Sequence, residues 1–270
     1  MPDCPLLMEP EELASRLDDP GLRIVDLCKP EIHAHGHIPG ALHLDYGEIV
    51  RAEPPVMGLL PDADTISRLA SRIGLTPDRC VVAYDDEGGG RAARLLWTLA
   101  AYGHARISLL NGGHQAWTRE GHPLTQEEET TRPSDYRARY VGDVVADADY
   151  IRDHLGDADV VLLDVRSPDE FRGADRRAIH GGHIPGAVNM EWTQTMDSSN
   201  NLRVKPPEVL LPMLEQLGIT PEREVITYCQ THHRSAHTWL VLRALGFARV
   251  RGYPGAWSDW GNRNDLPVEN

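Results

Sequence analysis

Cys229 is followed by Gln230, Thr231, His232, His233 and Arg234, and the run closes on Ser235. A cysteine in such company has the makings of a nucleophile. The thiolate is the reactive form, and nearby cations and inward-pointing amides draw its pKa below the free value of roughly 8.5. Arg234 supplies a permanent charge, and His232 and His233 can add partial charge. A buried cysteine that only ends a core strand is the bland alternative, and the polar, cationic loop argues against it.

The surrounding sequence gives that cysteine a place. Val225, Ile226 and Tyr228 form a short apolar run of β-formers, as expected of a strand covered on both faces. Beyond Ser235 the apolar spacing becomes helical, through Trp239, Leu240, Leu242 and Leu245, and Gly246 closes the helix. Cys229 therefore falls where a parallel strand ends and a helix begins, a usual location for chemistry in an open α/β sheet. The backbone N–H groups of the loop add to the positive end of that helix.

The chain is written twice. Arg23-Ile-Val-Asp-Leu27 recurs as Val161-Leu-Leu-Asp-Val165, and Gly36-His-Ile-Pro-Gly-Ala41 recurs as Gly182-His-Ile-Pro-Gly-Ala187. Ile73-Gly-Leu-Thr-Pro-Asp-Arg79 returns as Leu217-Gly-Ile-Thr-Pro-Glu-Arg223, and Val81-Val-Ala-Tyr-Asp85 as Val225-Ile-Thr-Tyr-Cys229. Ordered matches of this kind indicate a duplicated domain. In each half, strands alternate with amphipathic helices, which predicts α/β architecture with a mainly parallel sheet covered on both faces. The division predicted is a first domain at 1–125, a polar acidic linker at 126–140 and a second domain at 141–270.

Only the second half carries the nucleophile. Asp85 stands where Cys229 stands, and its loop runs Asp85-Asp-Glu-Gly-Gly-Gly90. A carboxylate lacks the nucleophilicity of a thiolate, and three acids repel an anionic substrate. The first half is expected to be a structural partner.

Four residues separate Cys229 from Arg234, which makes a six-residue cradle. Cysteine phosphatases have five there, a wider ring that fits a phosphate. The run Cys229-Gln-Thr-His-His-Arg234 resembles instead the active-site loop of the rhodanese family, in particular its bacterial tandem-domain thiosulfate:cyanide sulfurtransferases. The resemblance implies a rhodanese fold for both halves, activity in the C-terminal half, and a persulfide on Cys229 as the carrier with no separate cofactor. It implies small sulfur donors and acceptors as partners (thiosulfate, cyanide, thiols), with a protein acceptor also open. The alternatives are a 3-mercaptopyruvate sulfurtransferase, a cysteine phosphatase and a non-catalytic sulfur carrier. One departure stands out. In the family's vertebrate thiosulfate and mercaptopyruvate enzymes an arginine contacts the donor in the segment after Asp-x-Arg, and in Arg166-Ser-Pro-Asp-Glu-Phe-Arg172 that position falls on Glu170.

Other residues are expected to support the site. Asp164 and Arg166 end the strand beside Cys229 and read as an internal salt bridge that fixes the loop; Trp192 is either a pocket wall or core. No metal is expected, because the groups His33/His35/His37 and His232/His233/His237 lack zinc-ligand spacing. A net charge of −14 argues against nucleic acid or an anionic membrane as partner. The N-terminus lacks a signal-peptide pattern, and no apolar run is long enough for a membrane span. Cys4, Cys28, Cys80 and Cys229 show no close pairing or CxxC spacing, so unpaired thiols in a reduced, cytoplasmic setting are expected.

Overall fold

The computed structural model describes residues 4–270. Two compact units divide the chain, and neither is continuous in sequence. The first comprises 4–49, Pro61–Val141 and Asp197–Val204; the second comprises Val50–Leu60, Gly142–Met196 and Lys205–Asn270.

In the first unit the order is β1 (Leu7–Met8), α1 (Pro10–Ala14), β2 (Leu22–Asp26), α2 (Pro30–His35) and β3 (Ala41–His43). After the hairpin β4 (Arg51–Glu53) and β5 (Val56–Leu59) come α3 (Ala63–Arg72), β6 (Cys80–Tyr84), α4 (Gly90–Ala101), β7 (Ile107–Leu110) and α5 (Gly113–Arg119). The sheet order is β1-β7-β6-β2-β3, all parallel. Every residue of β2 and β6 is buried, as strands covered on both faces require.

The second unit repeats the plan with α6 (Ala148–Asp153), β8 (Val160–Asp164), α7 (Pro168–Phe171) and β9 (Val188–Asn189). Next in sequence are the short strands β10 (Met196–Asp197) and β11 (Arg203–Val204), the latter in a segment that belongs to the first unit, and the second unit resumes with α8 (Pro207–Gln216), β12 (Glu224–Tyr228), α9 (Arg234–Ala244), β13 (Val250–Gly252) and α10 (Ala256–Trp260). Its parallel sheet runs β13-β12-β8-β9. Both halves are thus the α/β, mainly parallel arrangement that the repeat predicts.

The repeated His-Ile-Pro-Gly turn has a physical reason in each unit. The Ile38 N–H donates to the Tyr84 hydroxyl and the Ile184 N–H to the Tyr228 hydroxyl, both at 3.2 Å, so the turn is strapped to the last residue of the central strand. Gly40 and Gly186 follow at φ +78° and +75°, a conformation that disfavours other residues.

The cysteines require a correction. Cys4 is bonded to Cys80, with Cα atoms 5.8 Å apart and a sequence separation of 76, so the expectation of unpaired thiols fails for this pair. Cys80 opens β6, and Cys4 packs on the same core cluster. Sequence spacing carries no trace of that approach. Cys28 and Cys229 are free and buried. Among the described residues, no helix is long and apolar enough to cross a membrane.

Candidate active site

Cys229 is the first residue beyond β12, at the carboxyl end of the parallel sheet, and is only 1 % exposed. The loop holds its shape because its outward carbonyls have partners. Trp257 N–H donates to the Cys229 carbonyl at 2.9 Å, and Ser258 N–H donates to that of Gln230 at 3.0 Å, both from α10. With those carbonyls tied outward, the amides of Thr231 and Ser235 are left to face the Cys229 sulfur. His232 completes the bend at φ +56°, a left-handed position that few non-glycine residues occupy.

The electrostatics of the sulfur follow. Burial pushes the Cys229 thiol up, but the Arg234 charge, the Ser235 hydroxyl and the Ser235 and Thr231 amides together bring it below its ordinary value. Ser235 Oγ lies 3.4 Å from Sγ and 2.7 Å from His232 Nδ1, so a fully buried histidine orients the hydroxyl that faces the sulfur. Arg234 is itself held: Nη1 donates to Glu170 Oε2 at 2.7 Å and Nη2 to Oε1 at 2.9 Å. Glu170 is 1 % exposed. Burial alone would raise its pKa; the Arg234 fork and the Ser167 amide instead hold it at about 2. Glu170 therefore occupies the expected donor-contact position in another role, as anchor of the loop arginine.

The remaining sequence candidates take definite places. Asp164 and Arg166 form a buried pair, Nη2 to Oδ2 at 2.5 Å, and the Arg166 guanidinium lies over the Trp257 ring at 4.5 Å. That pair braces Tyr228 and α10 rather than touching the sulfur. Trp192 is half-buried, its ring 6.2 Å from that of His233 and 5.6 Å from that of His237. His233 is partly exposed, and Gln230 donates to the Arg177 carbonyl at 3.3 Å.

Sequence reasoning missed Arg177 and the α10 amides. Arg177 stands half-exposed with Nε 3.7 Å from Glu170 Oε1, and it also pairs with Asp175. It lies in a stretch with no repeat partner, whereas the α10 segment Pro254-Gly-Ala-Trp-Ser-Asp-Trp260 corresponds loosely to Gly112-Gly-His-Gln-Ala-Trp117, a likeness that marks the segment but not the role of its amides.

In the first unit the equivalent loop is filled by its own side chain. Asp85 Oδ1 accepts from Glu87 N at 2.9 Å and Gly89 N at 2.8 Å, and Oδ2 accepts from Ala92 N at 3.0 Å. Burial and the Glu87 charge raise the Asp85 carboxyl, against the pull of those amides.

Comparison with known proteins gives a consistent result. The rhodanese-like domain family matches residues 9–120 and again residues 147–263. The thiosulfate sulfurtransferase of Azotobacter vinelandii is 44% identical over 98% of this chain and 97% of its own. That of Pseudomonas aeruginosa is 43% identical over 99% and 98%. The sulfur carrier protein TtuD of Thermus thermophilus is 32% identical over 97% and 96%. Among solved structures, YnjE superposes with a TM-score of 0.84 at 23% identity, covering 98% of this chain and 70% of that one, a likeness of fold.

Proposed function

The chain belongs to the rhodanese family, with two copies of the domain in one polypeptide, and from that premise we propose that it is a thiosulfate:cyanide sulfurtransferase that carries sulfur on Cys229. The observation that supports this most directly is the convergence of the Thr231 and Ser235 amides, the Ser235 hydroxyl and the Arg234 charge on one buried sulfur. These groups favour the thiolate before the reaction and a persulfide anion after it.

The proposed cycle has two steps. The Cys229 thiolate attacks the outer sulfur of thiosulfate, forming a bond from Sγ to that sulfur. The donor's own S–S bond breaks, and sulfite leaves with the electron pair. Cys229 now bears a persulfide with one negative charge. Cyanide or a thiolate then attacks the terminal sulfur, taking it away as thiocyanate or a new persulfide, and the Cys229 thiolate returns. Donor and acceptor never need to be bound together, so ping-pong kinetics follow. No other group has to enter either step.

Arg234 and Arg177 are the cations available to the donor dianion, the first fixed by Glu170 and the second half-exposed beside it. Gln230, Thr231, His232 and His233 build the cradle, Trp192 walls it beside His233, and Asp164 and Arg166 support it from below. Catalysis is assigned to the domain at 141–270 and the inactive role to the domain at 1–125, whose loop is closed by Asp85, with 126–140 between them in sequence; the hairpin at 50–60 packs with the catalytic half. A cytoplasmic setting would supply thiols as acceptors, and the TtuD relative, named a sulfur carrier protein, supports a protein thiol among them.

Intact-protein mass spectrometry tests the proposal. Thiosulfate should add one sulfur (about 32 mass units) to the thiolate; cyanide should remove it, and Cys229→Ser should never gain it. Sulfur uptake by the Cys229→Ser variant would end this account.

A further inference from the structure

The second unit includes a hairpin, β4 and β5, drawn from residues 50–60, whereas the rest of that unit begins only at Gly142. None of the chemistry above uses it. Its strand β5 nevertheless runs against the back of the sulfur-carrying loop. A methyl group at Gly58 would overlap the Thr231 carbonyl oxygen, and it would lie 2.7 Å from the Thr231 carbonyl carbon and 2.6 Å from the Pro254 carbonyl oxygen. All three are backbone atoms, so no side-chain rotation relieves the overlap. One residue earlier, Met57 N–H donates to Ser258 Oγ at 3.1 Å, and Ser258 N–H is one of the two donors that tie down the loop carbonyls. The Ser258 hydroxyl donates in turn to the Gly255 carbonyl at 2.9 Å.

Gly58 is not there for its own backbone. Its φ lies outside the left-handed region, in a conformation open to any residue, and glycine in an ordinary strand position is a net cost unless another backbone must come close. The close backbone is the Thr231 peptide on one side and the Pro254 peptide, just ahead of α10, on the other. The Thr231 N–H, in the preceding peptide and joined to the Thr231 carbonyl through the Thr231 Cα, faces the Cys229 sulfur, and α10 holds the carbonyls of Cys229 and Gln230.

We propose that Gly58 is a positioning residue for the active-site loop: strand β5, seated between the Thr231 and Pro254 peptides, sets the direction in which the Thr231 N–H meets the Cys229 sulfur. The hairpin thereby tunes the nucleophile without touching substrate. The inference builds on the sulfur-transfer reading but does not depend on it for its main readout, because alkylation of Cys229 reports the thiolate whatever it attacks in nature.

The experiment follows the rate of Cys229 carboxamidomethylation by iodoacetamide across pH in the full-length protein, beside steady-state kinetics with thiosulfate and cyanide. Gly58→Ala should raise the pH midpoint of alkylation by about one pH unit. It should lower kcat about tenfold, with KM for thiosulfate changed less than about threefold. A role in stability alone would lower the melting temperature and leave the alkylation midpoint of the folded protein where it was. A folded Gly58→Ala protein with the wild-type midpoint and kcat overturns the proposal. If that variant does not fold, Ser258→Ala decides: a midpoint raised in the same direction supports the proposal, and an unchanged midpoint overturns it. Should the wild-type protein never take up sulfur from thiosulfate, the sulfur-transfer reading fails, while the alkylation midpoint still tests Gly58.

Discussion

At the scale of single residues, the site depends on a charge that is held rather than free. Arg234 is bonded through both Nη atoms to Glu170, and that carboxylate is buried. A lysine in place of Arg234 keeps the charge and loses the planar fork. Arg234→Lys should therefore lower kcat/KM for thiosulfate by about ten- to a hundredfold, the equivalent of one or two charge-assisted hydrogen bonds. Steady-state kinetics at varied thiosulfate check this, and a variant within about twofold of wild type would show that the charge alone suffices. Arg177 makes a different case. It is half-exposed and shared between Glu170 and Asp175, so its contribution is long-range attraction of an anion to a protein of net charge −14. Arg177→Ala is expected to raise KM for thiosulfate a few-fold with kcat unchanged, and the difference should shrink above about 0.5 M salt. Persistence of the full effect at high salt would mean direct contact with the donor.

At the scale of elements, strand, loop and helix around Cys229 were legible because local sequence determines them. The apolar run 225–228, the polar turn and the spacing from Trp239 to Leu245 each carry their own period, and the duplication reads them out a second time. The hairpin Arg51–Leu59 had no such voice: it is a short, mostly exposed pair of strands whose place is set by what it packs against. The role of Glu170 was hidden for the same reason, since its partner lies 64 residues away. Helix α9 adds a consequence that only the fold reveals. His237 is fully buried on it, and burial first, then the nearby His233, depress its pKa to about 4. Between about pH 6.5 and pH 4 the unfolded chain binds a proton that the folded helix refuses, so stability falls as pH falls through that window. By pH 5 the loss is on the order of 2 kcal/mol. Melting temperatures from pH 7 to pH 5 should decline for the wild type and decline less for His237→Gln. Parallel curves would remove His237 as the cause. Glu170 acts lower, between its unfolded value of 4.5 and about 2, where the stability gained from its pairing is lost as it protonates.

At the scale of the whole molecule, one polypeptide contains two copies of the same strand–loop–helix cradle, and they differ in what occupies it. Asp85 turns its own carboxylate onto the amides of Glu87, Gly89 and Ala92, so the first cradle is complete without a ligand. In the second cradle a sulfur is the acceptor, and it alone is poised to react. The other free thiol, Cys28, is raised by burial and by the Asp26 charge, so it remains protonated and inert. The first copy is also stapled, since Cys4 and Cys80 join across 76 residues of sequence. A cross-link of that span removes loop entropy from the unfolded chain worth up to about 4.5 kcal/mol. It lies in the other compact unit from Cys229, and no step of the proposed cycle draws on it. Cys4→Ser should therefore lower the melting temperature by several degrees and leave sulfur loading of Cys229, read by intact mass at 20–25 °C, unchanged. Loss of loading with a wild-type melting temperature would reverse this assignment and make the pair part of the sulfur chemistry. An unchanged melting temperature with unchanged loading would mean that the two thiols are unpaired in the working protein.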